Sequence, residues 1–411
     1  MNQPRPVDQG RPARRRGGAV AARGTRPGAI GVTARTGIAV GVLLLAGSAL
    51  PGCSLGYYTQ AVTGEASLMI HSRPVADWLA DPDTPETLRR RLELAARLRA
   101  FAAHRLGLPD NRSYTRYTEL RRTSAVWNVF AAPPLSLTLH TWCYPVVGCA
   151  GYRGYFDQEA AQDLARTLSA QGLDAYVAPV PAYSTLGWLP DPLLSTFINW
   201  PEPELARLIF HELAHQVVFV RDDTRFNESF ATAVERAGLE RWVAERGDAQ
   251  LDRQYAQYRV RHEDLLRLVE QTRAELQALY TEAPAAPSDA ASGATTEAPV
   301  AGQAAAADPA RLARKQEILE RLPQRYQAIR DARWEGNHGY DAYFLAPWNN
   351  ARIGAMAAYN DDVPAFEALL RREGGDLPRF FDAVKALARL DGGARRAALA
   401  ALLEPGPVAG P

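Results

Sequence analysis

The chain has 411 residues, enough to bury a core without disulfide help, and its 47% hydrophobic and 23% charged residues are those of an ordinary globular protein. Disorder throughout and a polytopic membrane protein are both excluded. The formal charge of +1 hides an asymmetry: residues 1–52 carry eight Arg and one Asp, leaving 39 Lys and Arg against 45 Asp and Glu in the rest, a net of −6. A nucleic-acid partner would need a basic face to displace counterions, and none is expected here.

Residues 1–36 are polar and rich in Arg, Pro and Gly, and residues 37–50 (GIAVGVLLLAGSAL) form an apolar run of 14 that ends in small residues. These are the parts of a secretory signal, and the run is short against the ~20 residues of a spanning helix. Leu50-Pro51-Gly52-Cys53 resembles a bacterial lipoprotein box, with Pro51 a departure from it. That resemblance implies lipidation of Cys53 after cleavage, and Ser54 behind it favours the outer membrane, facing the periplasm. An uncleaved anchor with an incidental Cys is the other reading, and the long basic region suggests a true start downstream of Met1. Both readings place the folded part outside the cytoplasm. There Cys143 and Cys149, in WCYPVVGC, are expected to pair, with two buried free thiols as the alternative. A Cys-based zinc site is disfavoured because no second Cys pair completes it.

In chain order, residues 55–69 read as a first ordered segment and 87–106 as an amphipathic helix. Residues 123–141, broken by Pro133-Pro134, suit two strands or a bent hairpin. Asp157 caps a helix to about Ala170, Gly172 ends it, and 174–181 is a further strand. Residues 251–280 and 309–329 carry apolar stripes and are expected to form an antiparallel helical pair. Between them, 281–308 is an Ala/Pro/Ser/Thr/Gly-rich insert that cannot bury enough surface to offset its ordering entropy. Residues 334–403 are mainly helical, and 404–411 form a flexible tail. The expectation is one α+β domain over 53–403, mostly helical, with a small sheet and a long helical hairpin.

Chemistry concentrates in ELARLIFHELAHQVVFV, residues 204–220. On a helix His211 and His215, four apart, lie on one face and can reach one metal ion, while Glu212 is turned about 100° away, beside a water held there. That is the zincin arrangement: Zn²⁺ lowers the water's pKa and polarises a carbonyl, and Glu212 acts as general base. A third ligand is needed. Val218 and Arg221 occupy the places a metzincin would use, so the best candidate is Glu228, on a second helix starting near Asp223 and Thr224 and ending before Gly247. Glu235, two turns later, can hydrogen-bond a ligand His, and Glu235, Asp222 and Asp223 remain alternative ligands.

The pattern HExxH-x12-NESFA resembles the gluzincin metallopeptidases, NESFA being close to the Asn-Glu-Gly-Phe-Ala stretch of zinc aminopeptidases. More widely, the chain is similar to a bacterial family of predicted aminopeptidase lipoproteins. The likeness runs through Tyr57-Tyr58-Thr59-Gln60-Ala61, Ala125-Val126-Trp127-Asn128-Val129, Tyr152-Arg153-Gly154-Tyr155-Phe156, the zinc segment, Asn349-Asn350-Ala351 and Val363-Pro364-Ala365-Phe366. It implies a zinc-dependent aminopeptidase acting on peptides or proteins, with a zincin-like core.

The residues alone leave exo- and endopeptidase open, and an envelope lipoprotein with a structural metal stands as a reading from another class. A fourth protein ligand would favour that last reading, whereas an acidic group gripping the substrate's amine would favour exo-action. His338, Tyr340, Tyr343 and Tyr183 are candidate oxyanion donors, each more often a packing residue. Gly354-Ala355-Met356 faintly resembles an aminopeptidase substrate loop without its acid. Arg153, Tyr152, Tyr155 and Phe156 are candidates for a cleft wall, while His71, His104, His140 and His262 lack partner spacing.

Overall fold

A computed structural model describes residues 52–144, 148–282, 308–357 and 360–404. The signal region to residue 51, most of the low-complexity insert (283–307) and the tail beyond 404 lie outside the described residues. The chain divides into two compact units, Met1–Tyr57 and Tyr58–Pro411. The protein is mainly helical with small sheets, an α+β architecture. Among the described residues no helix is long and apolar enough to cross a membrane.

Helix α1 (Gly52–Ile70) covers the first ordered segment, with Cys53 at its start. After a two-residue strand β1 (Arg73–Pro74) and a short helix α2 (Val75–Ala80) comes α3 (Glu86–Leu106), which buries Leu92, Leu94, Ala95, Leu98, Phe101 and Ala102 at the expected spacing. Gly107, left-handed at φ 69°, closes it, as glycine does where a Cβ would be strained. Strand β2 (Arg116–Thr118) pairs antiparallel with β1 and parallel with β8 (Leu193–Leu194).

The second sheet is built on β3 (Val126–Ala132), flanked antiparallel by β6 (Arg153–Tyr155) and β7 (Asp174–Val180). All seven residues of β3 are buried. Trp127, Val129 and Ala131 pack under helix α4 (Gln158–Ala170), while Phe130 and Ala132 pack against α10 (Asn350–Ala357). Burial on both faces explains why the strand is apolar at every position except Asn128 instead of alternating. One strand forms within 123–141 where two were expected: Pro133 and Pro134 have no N–H to donate, and the chain leaves the sheet there. Asp157 caps α4 by accepting from the Ala160 N–H, as its position predicts. Strands β4 (Trp142–Tyr144) and β5 (Gly148–Ala150) form a hairpin in which Cys143 faces Cys149, and the two are disulfide-bonded.

Helix α5 (Glu202–His215) and helix α6 (Thr224–Arg246) run antiparallel at the centre of the larger core. A Cβ on Gly238 would lie 2.7 Å from Leu106 Cδ1 and 2.9 Å from Phe210 Cδ2, so glycine lets α6 approach both α3 and α5. Helix α5 stops at His215, short of the expected 220, because the β-branched Val217, Val218 and Val220 extend poorly as helix. Long helices α7 (Ala249–Thr281) and α8 (Pro309–Arg333) form the antiparallel pair. Arg333 bridges Asp264 near one end, Arg325 bridges Glu275 further along, and Arg314 bridges Glu282 at the tip. A short helix α9 (Asp341–Phe344) precedes α10, and α11 (Val363–Arg372), α12 (Leu377–Ala388) and α13 (Gly392–Ala401) complete the chain. They cover α6 through Phe366 and Phe380, which pack on Phe226 and Phe230.

Candidate metal centre

The apolar stripe of α5 buries it on the core side and leaves both histidines facing α6. Asp223 caps α6 through the Phe226 N–H and is held by Arg395 at 2.7 Å. Next on α6, Asn227 closes the turn between the helices: its Oδ1 accepts from the Val220 N–H and its Nδ2 donates to the Val220 carbonyl, both at 2.8 Å. Ser229 Oγ accepts from the Asp362 N–H at 3.2 Å, and Phe230 and Ala231 are core. Each residue of NESFA beside the glutamate thus fixes where α6 lies, and the glutamate itself faces α5.

The structure brings His211, His215 and Glu228 together. The two Nε2 atoms are 3.1 Å apart, and Glu228 Oε2 lies 3.2 Å from His211 Nε2 and 3.6 Å from His215 Nε2. Zinc–nitrogen bonds of ~2.0–2.1 Å in a tetrahedron place neighbouring donors about 3.3 Å apart, so these are metal-ligand spacings. Glu235 Oε2 lies 2.9 Å from His211 Nδ1 and is itself held by Arg207 at 3.1 Å. An ionised carboxylate only accepts, so Nδ1 of His211 carries a proton toward Glu235, while Nε2 faces Glu228 and His215, where a metal ion would replace a proton. Two imidazoles and one carboxylate converging on one point fit a divalent cation such as zinc. Among the described residues no fourth His, Cys, Asp or Glu joins the group.

The electrostatics agree with that donor set. Burial alone would lower the His211 pKa, but hydrogen bonds to Glu228 and Glu235 and their charges raise it to about 10. Burial raises the Glu228 pKa, and the two histidines more than reverse this, bringing it to about 2. The cluster is therefore short of positive charge. His215 Nδ1, by contrast, is buried without a hydrogen-bond partner among the described residues. Glu212 is partly exposed on the adjoining face of α5, its carboxylate outside the converging group.

The alternative ligands are committed elsewhere. Asp223 caps α6, and Asp222, at φ 66°, accepts from the Cys149 N–H and ties the disulfide hairpin to the turn between the two helices. Three of the four candidate oxyanion donors also fall in other places. His338 is exposed and bound to Asp341, Tyr343 lies under the Arg352 guanidinium, and Tyr340 packs edge-on against Trp334. Tyr183 packs on Phe156 with ring centroids 5.0 Å apart, and the Tyr155 ring lies near Arg153. Gly354 is buried in α10, where a Cβ would be 2.9 Å from the Leu137 carbonyl, so it forms no loop. His71 bonds the Ser67 carbonyl, and His262 stacks on Tyr258 with burial lowering its pKa to about 4.

Two groups near Glu212, and a third beside Asp191, are not marked by any sequence pattern. Tyr114 is 3% exposed, its hydroxyl has no hydrogen-bond partner among the described residues, and its pKa is raised by burial and by the Glu212 and Asp191 charges. Burial raises Asp191 to about 6 against the lowering effect of Thr185, with Glu212 adding to the rise. Burial and then Asp191 raise Glu65 from 4.5 to about 7. A carboxyl with a raised folded pKa binds its proton more tightly folded than unfolded, so that stabilisation is full below pH 4.5 and lost as pH rises through about 7. Wild type is therefore expected to lose melting temperature relative to Glu65→Gln between pH 5 and 8. A difference between the two proteins that stays flat across that range would refute the assignment.

No curated protein and no solved structure matches the chain significantly. Residues 56–399 match the family described as "Putative aminopeptidase", which spans most of the sequence and nearly every described element, and the chain belongs to that family.

Proposed function

We propose that the protein is a zinc-dependent peptidase with a zincin-like centre, acting as an aminopeptidase. The observation that carries this is the convergence of His211, His215 and Glu228 at metal-ligand spacing with no fourth protein ligand among the described residues. A closed shell would suit a structural ion, whereas three ligands leave room for water and substrate. Bound there, zinc would supply a Lewis acid that polarises the scissile carbonyl and makes water nucleophilic near neutral pH. The chain's own residues do the rest. Glu235, fixed by Arg207, orients the His211 ring. Glu212 accepts the proton of the attacking water and returns it to the leaving amine nitrogen. Family membership supports a peptidase activity and the aminopeptidase choice.

The test is metal analysis and peptide hydrolysis by the purified full chain. About one zinc per chain is expected, with hydrolysis abolished by a chelator and restored by zinc. Turnover that survives complete removal of the metal would reject the proposal.

We also place the protein in the cell envelope, lipid-anchored through Cys53 and facing the periplasm from the outer membrane. The support is the apolar run before the LPGC sequence and the disulfide, a bond favoured in oxidising compartments. Cys53→Ser is expected to move the protein from the membrane to the soluble fraction of the producing cell, and continued membrane association would count against the anchor.

A further inference from the structure

Glu212 and Gln216 lie four residues apart, on one side of the last turn of α5. Gln216, the residue capping that helix, gathers two loops: its Oε1 accepts from Asn111 Nδ2 at 2.6 Å, its Nε2 donates to Ser113 Oγ at 3.3 Å, and a Cβ on Gly187 would lie 3.0 Å from its Oε1. The Tyr114 N–H donates to the Asp191 carbonyl at 2.7 Å and joins the loops to each other. The fold therefore carries the Tyr114 and Asp191 segments onto the Glu212 face of the metal helix.

These side chains have acceptors to spare. Asp191 is 1% exposed and takes hydrogen bonds from neutral groups: the Thr185 N–H at 3.0 Å, Thr185 Oγ1 at 2.7 Å and Ser184 Oγ at 3.2 Å. Among the described residues no Lys, Arg or His forms an ion pair with it or with Glu65, and Glu65 Oε2 is buried with no hydrogen-bond partner. The buried Tyr114 hydroxyl is likewise unpartnered. A buried carboxylate without a cation is costly, and the raised pKa values of both acids are that cost expressed as proton affinity. A ligand bearing positive charge would relieve it. A second metal ion is the poorer occupant, because these acids form no metal-spaced group among the described residues. An alkylammonium brings three N–H donors and tolerates a looser set of acceptors.

We propose that Asp191 and Glu65, with the Tyr114 hydroxyl, form the subsite that takes the free α-ammonium of a peptide's first residue beside Glu212. The inference deepens the peptidase reading and rests on it. An amine seated there directs the first peptide bond toward the general base, and a blocked amine lacks the charge these acids would pair, so cleavage proceeds from amino termini. Asp191 also organises residues 184–191 through its three hydrogen bonds, whereas the free Glu65 oxygen organises nothing, which makes Glu65 the cleaner residue to change.

The experiment uses the full chain and a tripeptide mixture with every residue at the first position and alanine at the other two, free or N-acetylated. Hydrolysis is followed by mass spectrometry for wild type, Glu65→Gln and Asp191→Asn, with metal content and melting temperature measured on each. Charge-assisted hydrogen bonds of ~1.5–3 kcal/mol predict a wild-type preference for the free amine of about 100-fold and a loss of about tenfold in that ratio for Glu65→Gln. Equal cleavage of free and acetylated peptides by wild type, or an unchanged ratio in Glu65→Gln, overturns the proposal even if Asp191→Asn fails to fold. Equilibrium dialysis of the same peptides against the Glu212→Gln chain separates the two ideas. Selective retention of free peptides by a protein whose wild type hydrolyses nothing would sink the peptidase reading and keep the amine subsite, and equal retention would sink the subsite whatever the turnover.

Discussion

Replacing Glu212 by Gln is expected to leave zinc bound at its wild-type stoichiometry and to lower turnover by about 10²–10⁴-fold, the range a positioned general base contributes. The two halves of this expectation come from different features. Metal retention follows because the Glu212 carboxylate lies outside the His211, His215 and Glu228 group, whose closest contacts of 3.1, 3.2 and 3.6 Å involve none of its atoms. The loss of rate follows because an amide of the same shape cannot take a proton from water. Glu212 is also partly exposed, so the change leaves no new buried group unsatisfied and should cost little stability. The measurement is metal content by elemental analysis beside kcat on the peptide mixture. An unchanged kcat with full zinc would remove Glu212 from the chemistry, and lost zinc would mean that this residue supports the metal centre instead.

The site divides between what periodicity reveals and what only the tertiary fold supplies. His211, His215 and Glu212 lie on one helix, where spacing alone sets direction, and the Asp223 cap marks the start of the next helix, so the facing of Glu228 and Glu235 follows from the same rule. Arg207, four residues before His211, was legible by that rule too. Glu65 and Asp191 were not. One comes from α1 and the other from the Leu-Pro-Asp-Pro-Leu segment, and they meet because β2 pairs with β8 and because the Thr118 hydroxyl reaches the Leu68 carbonyl. Sheet pairings between such short strands leave no periodic trace in a sequence. Conversely, His338, Tyr340 and Tyr343 were nominated by residue type, and the fold uses them for packing and ion pairing in the second core, around α8 to α10. Helix limits were the most legible part of the fold. Asp157, Asp223, Gly107 and Gly247 act as caps whose chemistry is local.

Glu228→Gln and Glu235→Gln should separate a ligand from the group that orients one. Glu235 touches His211 at Nδ1, the nitrogen turned away from Glu228 and His215, and is braced by Arg207. Its loss frees the ring to rotate and weakens imidazole basicity, which elsewhere costs about 10–100-fold in metal affinity. Glu235→Gln also leaves the partly buried Arg207 without its carboxylate, so a modest fall in melting temperature should accompany the weaker binding. Glu228→Gln acts differently. It removes the anionic donor among the three groups whose ligating atoms lie within 4.8 Å of one another, leaving two imidazoles and a weakly coordinating amide. The loss of zinc affinity should exceed that of Glu235→Gln, while the apo protein stays folded because Asn227, Ser229 and Phe230 still anchor α6. Competition against a zinc-binding dye gives both affinities, and melting curves of the metal-free proteins give the stability order. Equal affinities for the two variants would mean that Glu228 is no ligand, and the centre would have to be rebuilt around Glu235.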